Sequence, residues 1–223
     1  MDFTTFVQGR RVAVVGPSRS IVGSGLGKAI DAHDLVVRLN HGWPLPEPLH
    51  ADLGRRMDIL YHCCNGDRPV DRVFADGGDR LRWACFEKDR DTPALLAACR
   101  RGGASTLDVT PVYAALRRRL RTYPNTGLVA IHHLLDSGAA GVAIFGMTFF
   151  REPYVAGYPG AGAAAVHWPV DGSSPTRIWK HDLAVQYRHF ADLCRGEPRL
   201  AVDPVSLAVM PEVRSALAAR APG

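Results

Sequence analysis

Val12-Ala13-Val14-Val15-Gly16-Pro17-Ser18-Arg19-Ser20-Ile21-Val22-Gly23-Ser24-Gly25-Leu26-Gly27-Lys28-Ala29-Ile30-Asp31-Ala32-His33-Asp34-Leu35-Val36-Val37-Arg38-Leu39-Asn40 decides how this chain is read. It opens on residues 11–16, an apolar run stopped by Gly16-Pro17, which predicts a strand buried on both faces, as in a parallel sheet. A loop rich in Ser and Gly follows at 17–27, then a helical turn at 28–33, then a second apolar strand at 34–40. Strand, glycine loop, helix and strand within about 30 residues open an α/β nucleotide-binding fold. Loop glycines let the backbone approach a ligand closely, and N–H groups at a helix start suit an anion. The loop has neither the Gly-Lys-Ser/Thr ending of a Walker A loop nor the G-x-G-x-x-G of a dinucleotide site.

Working outward, residues 57–63 and 81–86 predict further strands, joined by a polar surface connection at 66–80. Helices are expected at 92–101, 112–121 and 127–137, the first ended by Gly102-Gly103. Residues 140–145 predict another buried strand, closing on Gly146. A Pro- and His-rich loop is expected at 41–50 and an irregular Gly/Pro-rich stretch at 151–175. A two-faced helix is expected at 178–194 and a weak terminal helix in the last 25 residues. Neither a repeat nor a dividing linker interrupts the 223 residues, so a single domain is expected over 1–223. Its nucleotide-binding core would span about 11–150, a loop and helix bearing site residues 151–195, and a C-terminal extension 196–223.

Apolar residues make up 47% of the chain and charged residues 22%, enough for a sizeable core. The formal charge of +5 is no argument for nucleic acid. Only Lys28, Lys88 and Lys180 are lysines among the 27 basic residues. The dense cluster, Arg117-Arg118-Arg119 with Arg121, reads as one solvated helix turn without the interleaved aromatics of a single-strand groove. No apolar run is long enough to span a bilayer, and Met1-Asp2-Phe3 does not open a signal peptide. A cytoplasmic protein is expected. The five cysteines, Cys63, Cys64, Cys85, Cys99 and Cys194, have no CxxC pair and no zinc spacing, which predicts buried thiols.

The opening segment resembles the large sialylmotif of glycosyltransferase family 29, the animal-type sialyltransferases, without a gap. The matching positions are Ala13-Val14-Val15-Gly16, Ser18, Gly23-Ser24-Gly25, Gly27, Ile30-Asp31, His33-Asp34, Arg38 and Asn40. Asp52-Leu53-Gly54 resembles the Asp-Val-Gly that follows it. Pro124-Asn125-Thr126-Gly127, an apolar helix and Ile144-Phe145-Gly146 resemble the small motif. His167-Trp168 resembles the third motif, and His181-Asp182 with Gln186 resembles the very small one.

The resemblance implies a GT-A-variant fold, a mainly parallel twisted sheet flanked by helices. It implies transfer of an acidic ulosonic sugar (sialic acid, Kdo or a relative) from its CMP conjugate to an acceptor hydroxyl, with inversion and without a metal or other cofactor. Ser18 and Asn40 would face the CMP phosphate and ribose, and Thr126, Gly127 and Gly146 the nucleotide. His167 would donate to the phosphate, and His181 would be the general base. An imidazole near neutral pKa suits the base, and a donating histidine meets leaving-group charge.

Departures from the family pattern stand beside these matches. Pro17 replaces an Asn, Arg19 a Gly and Gln186 a Glu, while Val12 and Gly138 take the places of two disulfide cysteines. The expected partners are a nucleotide-sugar and a hydroxyl acceptor, with no nucleic acid and no membrane span; the oligomeric state is left open. Two other readings stay open: a hydrolase or lyase acting on a CMP-sugar or cytidine nucleotide, and a non-catalytic nucleotide-binding protein. His132-His133 reads as structural, because neighbours on a helix point apart. Asp89-Arg90-Asp91, which has the spacing of a metal-binding D-x-D, reads as a chance match.

Overall fold

The structure, a computed structural model, describes residues 1–42, 45–64, 81–87, 92–156, 158 and 181–220. Its centre is a seven-stranded sheet in the order β5-β4-β3-β2-β1-β6-β7. The strands are β1 (Arg11–Val15), β2 (Leu35–Leu39), β3 (Ile59–His62), β4 (Trp83–Phe86), β5 (Ser105–Asp108), β6 (Gly141–Phe145) and β7 (Leu200–Val202). Every pairing is parallel, with Val14 opposite Val37 on one side and Ile144 on the other.

The helices are α1 (Phe3–Val7), α2 (Gly27–Asp31), α3 (His50–Leu53), α4 (Thr92–Gly102), α5 (Thr110–Leu120), α6 (Thr126–Asp136), α7 (Leu183–Gly196), α8 (Pro204–Ala208) and α9 (Pro211–Ala218). Side chains alternate across the sheet and both faces are covered, so the central strands carry continuous apolar runs. Val12, Val14, Val37, Ile59, Tyr61 and Ile144 bury one face against α1, α5, α6, α7 and α9. Ala13, Val15 and Val36 bury the other against Ile30 of α2 and Leu53 of α3, and Leu60 and Ala84 join Cys99 of α4 there.

The predicted strands at 11–16, 34–40, 57–63, 81–86 and 140–145 are all present, each trimmed by one to three residues. The helices at 92–101, 112–121 and 127–137 form as well. Three expectations are corrected. Residues 105–108 form edge strand β5, which the sequence hides because Ser-Thr-Leu-Asp is half-exposed and has no apolar run. The C-terminal 25 residues hold more than a terminal helix: β7 pairs with β6 in the same sheet, and α8 and α9 follow. The helix expected from 178 starts at Leu183, with Asp182 as its N-cap accepting from Val185 N. His181 therefore precedes α7 and is not on it. Residues 66–80, 178–180 and most of 151–175 lie outside the described residues.

Four cysteines are buried, Cys63 is half-buried, and all five are free thiols. Arg117, Arg118, Arg119 and Arg121 are exposed at the end of α5, the solvated turn expected of them. No helix among the described residues is long and apolar enough to cross a membrane.

Candidate functional site

Parallel strands put all their C-terminal ends on one edge, and a crevice opens there where neighbouring strands are followed by connections running in opposite directions. In this sheet the reversal falls between β1, whose chain goes on to β2, and β6, whose chain goes on to β7. Gly16 and Gly146 end these two strands side by side. A Cβ on Gly16 would lie 2.6 Å from the Gly146 carbonyl oxygen, and Gly146 itself has φ +60°. Only glycine lets the two chains close at this point.

Ser18 follows immediately. Its N–H donates to Gly146 O at 2.8 Å, and its buried hydroxyl accepts from Thr148 Oγ1 at 3.1 Å. Ser18 also caps the short 3-10 turn Arg19–Ile21 by accepting from Ser20 N. Arg19 N donates to Pro153 O and Val155 N to Pro17 O, tying the Ser18 loop to a second segment. Arg19 is exposed. It lines an apolar groove of about 670 Å³ with Val22, Pro46, Pro48, Leu49, Pro153, Tyr154 and Ala156.

The polar residues of the opening segment divide between building this loop and facing the edge. Asp52, largely buried, accepts from Gly23 N and Gly25 N, each at 2.8 Å. Both glycines have positive φ, so one carboxylate fixes the loop's shape. Asp31 accepts from Arg55 N and Arg56 N, and Asp34 accepts from Arg11 N. These acids hold the fold. Arg38 is fully buried, with Nε donating to Arg56 O, and burial lowers its pKa to about 10. It stays cationic at neutral pH.

Asn40, by contrast, stands just past β2 in a left-handed conformation, φ +50°. Its Oδ1 accepts from Cys63 N at 2.9 Å and its Nδ2 donates to Thr126 Oγ1 at 3.4 Å. Thr126 Oγ1 in turn donates to Glu87 Oε1 at 3.1 Å, and both residues are buried. Glu87 lies one residue past β4, its N–H bonded to His62 O. Sequence reasoning missed it: no motif contains it, and its only sign was a carboxylate ending an apolar strand.

Thr126 begins α6, whose N-cap Asn125 accepts from Leu128 N. The positive end of α6 thus points at the same edge. Gly127 packs so closely under Met147 that a Cβ would strike its sulfur, which locks α6 against the end of β6.

His181 joins through the loop before α6. Its Nδ1 lies 2.5 Å from Tyr123 O. A carbonyl can only accept, so Nδ1 carries the proton and the neutral ring's lone pair is on Nε2. Gln186, fully buried on α7, donates from Nε2 to the same carbonyl at 3.1 Å and accepts Asn125 N on Oε1 at 2.8 Å. The position demands one donor and one acceptor, which a glutamine offers and an ionised glutamate does not.

The structure thus gathers Ser18 with Gly146, and Asn40 with Thr126. Met147 links Gly127 to Gly146, and Gln186 links His181 to the start of α6. His167 lies outside the described residues, as do Asp89 and Asp91. Among the described residues no group of three or more His, Cys, Asp or Glu could hold a metal ion. His132 and His133 point apart. His133 stacks on Phe3 and shares a 2.8 Å bond with Tyr61, while His132 meets His189.

Comparison with known proteins bears on the family and the fold. The profile of Glycosyltransferase family 29 (sialyltransferase) matches residues 6–135. A mammalian sialyltransferase crystal structure in complex with Gal-beta-1-3GalNAc-ortho-nitrophenol superposes with a TM-score of 0.57 at 18% identity, covering 90% of this chain and 71% of that one. Another mammalian sialyltransferase structure gives 0.58 at 17%, covering 89% and 70%. No curated protein sequence matches.

Proposed function

This chain belongs to glycosyltransferase family 29, the sialyltransferase family, and from that premise we propose that it moves an acidic ulosonic sugar from its CMP conjugate to an acceptor hydroxyl, with inversion and without a metal. The observation that carries the reading is the single strand edge where Asn40, Thr126 and the N-terminus of α6 meet, with His181 held beside it. We take 1–223 as one GT-A-variant domain and a reducing compartment, the cytoplasm, as its site of action; the five free thiols support that compartment.

In this reading the CMP moiety spans the edge from Ser18 to Thr126. The phosphate meets the backbone N–H groups and the positive end of α6, with Arg19 at the loop's rim supplying charge where the family's Asn is Pro17. Asn40 Nδ2 and the Gly127 and Gly146 backbone fix the nucleoside. The acceptor oxygen approaches the anomeric carbon on the face opposite the phosphate. As the new C–O bond forms, the C–O bond to phosphate breaks with both its electrons and CMP departs. The acceptor proton passes to His181 Nε2. His167 donates to the departing phosphate, which takes the place of a metal in balancing that charge.

Gln186 holds the 123–125 segment and so sets the position of both His181 and Thr126. A buried hydrogen bond from a neutral amide does this work without placing a carboxylate next to the base.

The test is product analysis with CMP-sialic acid and a panel of hydroxyl acceptors in excess EDTA. A new glycoside, with CMP released in equal amount, is the expected result. CMP release without a glycoside would overturn transfer, and a requirement for Mn²⁺ or Mg²⁺ would overturn metal independence.

A further inference from the structure

We propose that Glu87 is a positioning residue that fixes the Thr126 hydroxyl as a hydrogen-bond acceptor toward the bound nucleotide; this rests on the CMP-donor reading above. A threonine hydroxyl has one proton and two lone pairs. Here the proton goes to Glu87 Oε1 at 3.1 Å, and one lone pair takes the Asn40 Nδ2 proton at 3.4 Å. The remaining lone pair is the hydroxyl's only capacity for a ligand, so the ligand group facing Thr126 must be a donor. In a cytidine nucleotide that is a ribose hydroxyl or the exocyclic amine of the base. Phosphate oxygens and the uracil carbonyl are the wrong polarity.

The carboxylate is well placed to enforce this. Glu87 is 2% exposed and Thr126 6%, so water does not compete for the bond. In the low dielectric of a buried site a hydrogen bond is stronger than in water. The backbone on each side is fixed: Glu87 N donates to His62 O, and Cys63 N holds the Asn40 amide in one orientation. The line Cys63, Asn40, Thr126, Glu87 therefore runs across the ends of β2, β3 and β4 with its three hydrogen bonds donated in one direction. Tyr113 of α5 lies within reach of the same side chain: its pKa is raised to about 12, by burial first and by Glu87 second.

The test is a double-mutant cycle on CMP affinity, read by calorimetry, with Glu87→Leu, Thr126→Val and both together. Each single variant is expected to weaken CMP by about ten- to thirtyfold, the scale of a buried polar group left without its partner. The double variant should be no weaker than either single one, because the two act as a unit. Glu87→Gln keeps the shape and an acceptor oxygen; it should recover affinity to within about threefold of wild type and guards against a leucine variant that does not fold. 2′-Deoxy-CMP, 3′-deoxy-CMP and UMP identify the donor: the analogue lacking it should be insensitive to Thr126→Val. Losses that multiply in the double variant would overturn the proposal, as would a Glu87→Gln protein no better than Thr126→Val. Wild-type protein that ignores CMP altogether would instead remove the donor reading on which the proposal stands.

Discussion

His181 and Gln186 show how one backbone carbonyl organises the candidate site. Tyr123 O accepts from both side chains, so the proposed base and the residue that fixes its neighbourhood share a single anchor. His181→Ala is expected to cut turnover by about 10²–10⁴-fold, the usual reach of a general base. Its affinity for CMP should be near wild type, because in the proposed mechanism Nε2 takes the acceptor's proton and does not touch the nucleotide. His167→Ala should weaken CMP binding and turnover together; steady-state kinetics with calorimetry separate the two patterns. Gln186→Glu tests the anchor. An ionised carboxylate there would face the lone pairs of Tyr123 O and strand a buried charge, at a cost of about 1–3 kcal/mol in chemical denaturation. Retained stability in that variant would contradict the reading of Gln186 as a two-way bridge. The motif residues were legible in the sequence by identity but not by task. Asp31, Asp34 and Asp52 turn out to hold backbone N–H groups, a role that spacing alone does not distinguish from ligand contact. Glu87 was invisible because its partner Thr126 is 39 residues away.

At the scale of elements, the central strands were legible because burial on both faces writes an unbroken apolar run, as in Val12 to Val15 and Leu35 to Val37. The edges were not. β5 needs no such run, and β7 is three residues held by its pairing with Val142, Ala143 and Ile144. The junction of β1 and β6 is the element-level feature the site depends on. Gly16→Ala would push a Cβ into the Gly146 carbonyl, and backbone on both strands would have to move. It should cost about 1–3 kcal/mol, the range for overpacking, and should weaken CMP because Ser18 N hangs from that same carbonyl. A Gly16→Ala protein with unchanged melting temperature and CMP affinity would show that the junction is looser than the geometry implies. Asp203, the N-cap of α8, accepts from Gly146 N at 3.0 Å. The C-terminal extension therefore supports the site as well as the sheet.

For the whole molecule, three histidines join the sheet-facing helices to their surroundings, and burial depresses all of them. His133 falls to about 4, mainly by desolvation. His189 also falls to about 4, by desolvation, then by His132 and Arg119, with Asp192 opposing. His132 is lowered by desolvation and Arg119. An unfolded chain takes up protons near pH 6.5, whereas the folded one resists until about pH 4, so stability falls as pH drops through that window. Because His132 Nε2 and His189 Nε2 share one hydrogen bond across α6 and α7, His132→Gln should flatten part of this loss, measured as denaturant midpoint against pH. The central claim, a cytidine nucleotide held at the C-terminal edge of a parallel sheet by a family 29 enzyme, is tested most directly by thermal shift with CMP, UMP, AMP and GMP in excess EDTA. A ligand bound only by the native state raises its melting temperature. CMP should raise it most and should do so without metal; equal shifts for all four nucleotides, or none, would contradict the account.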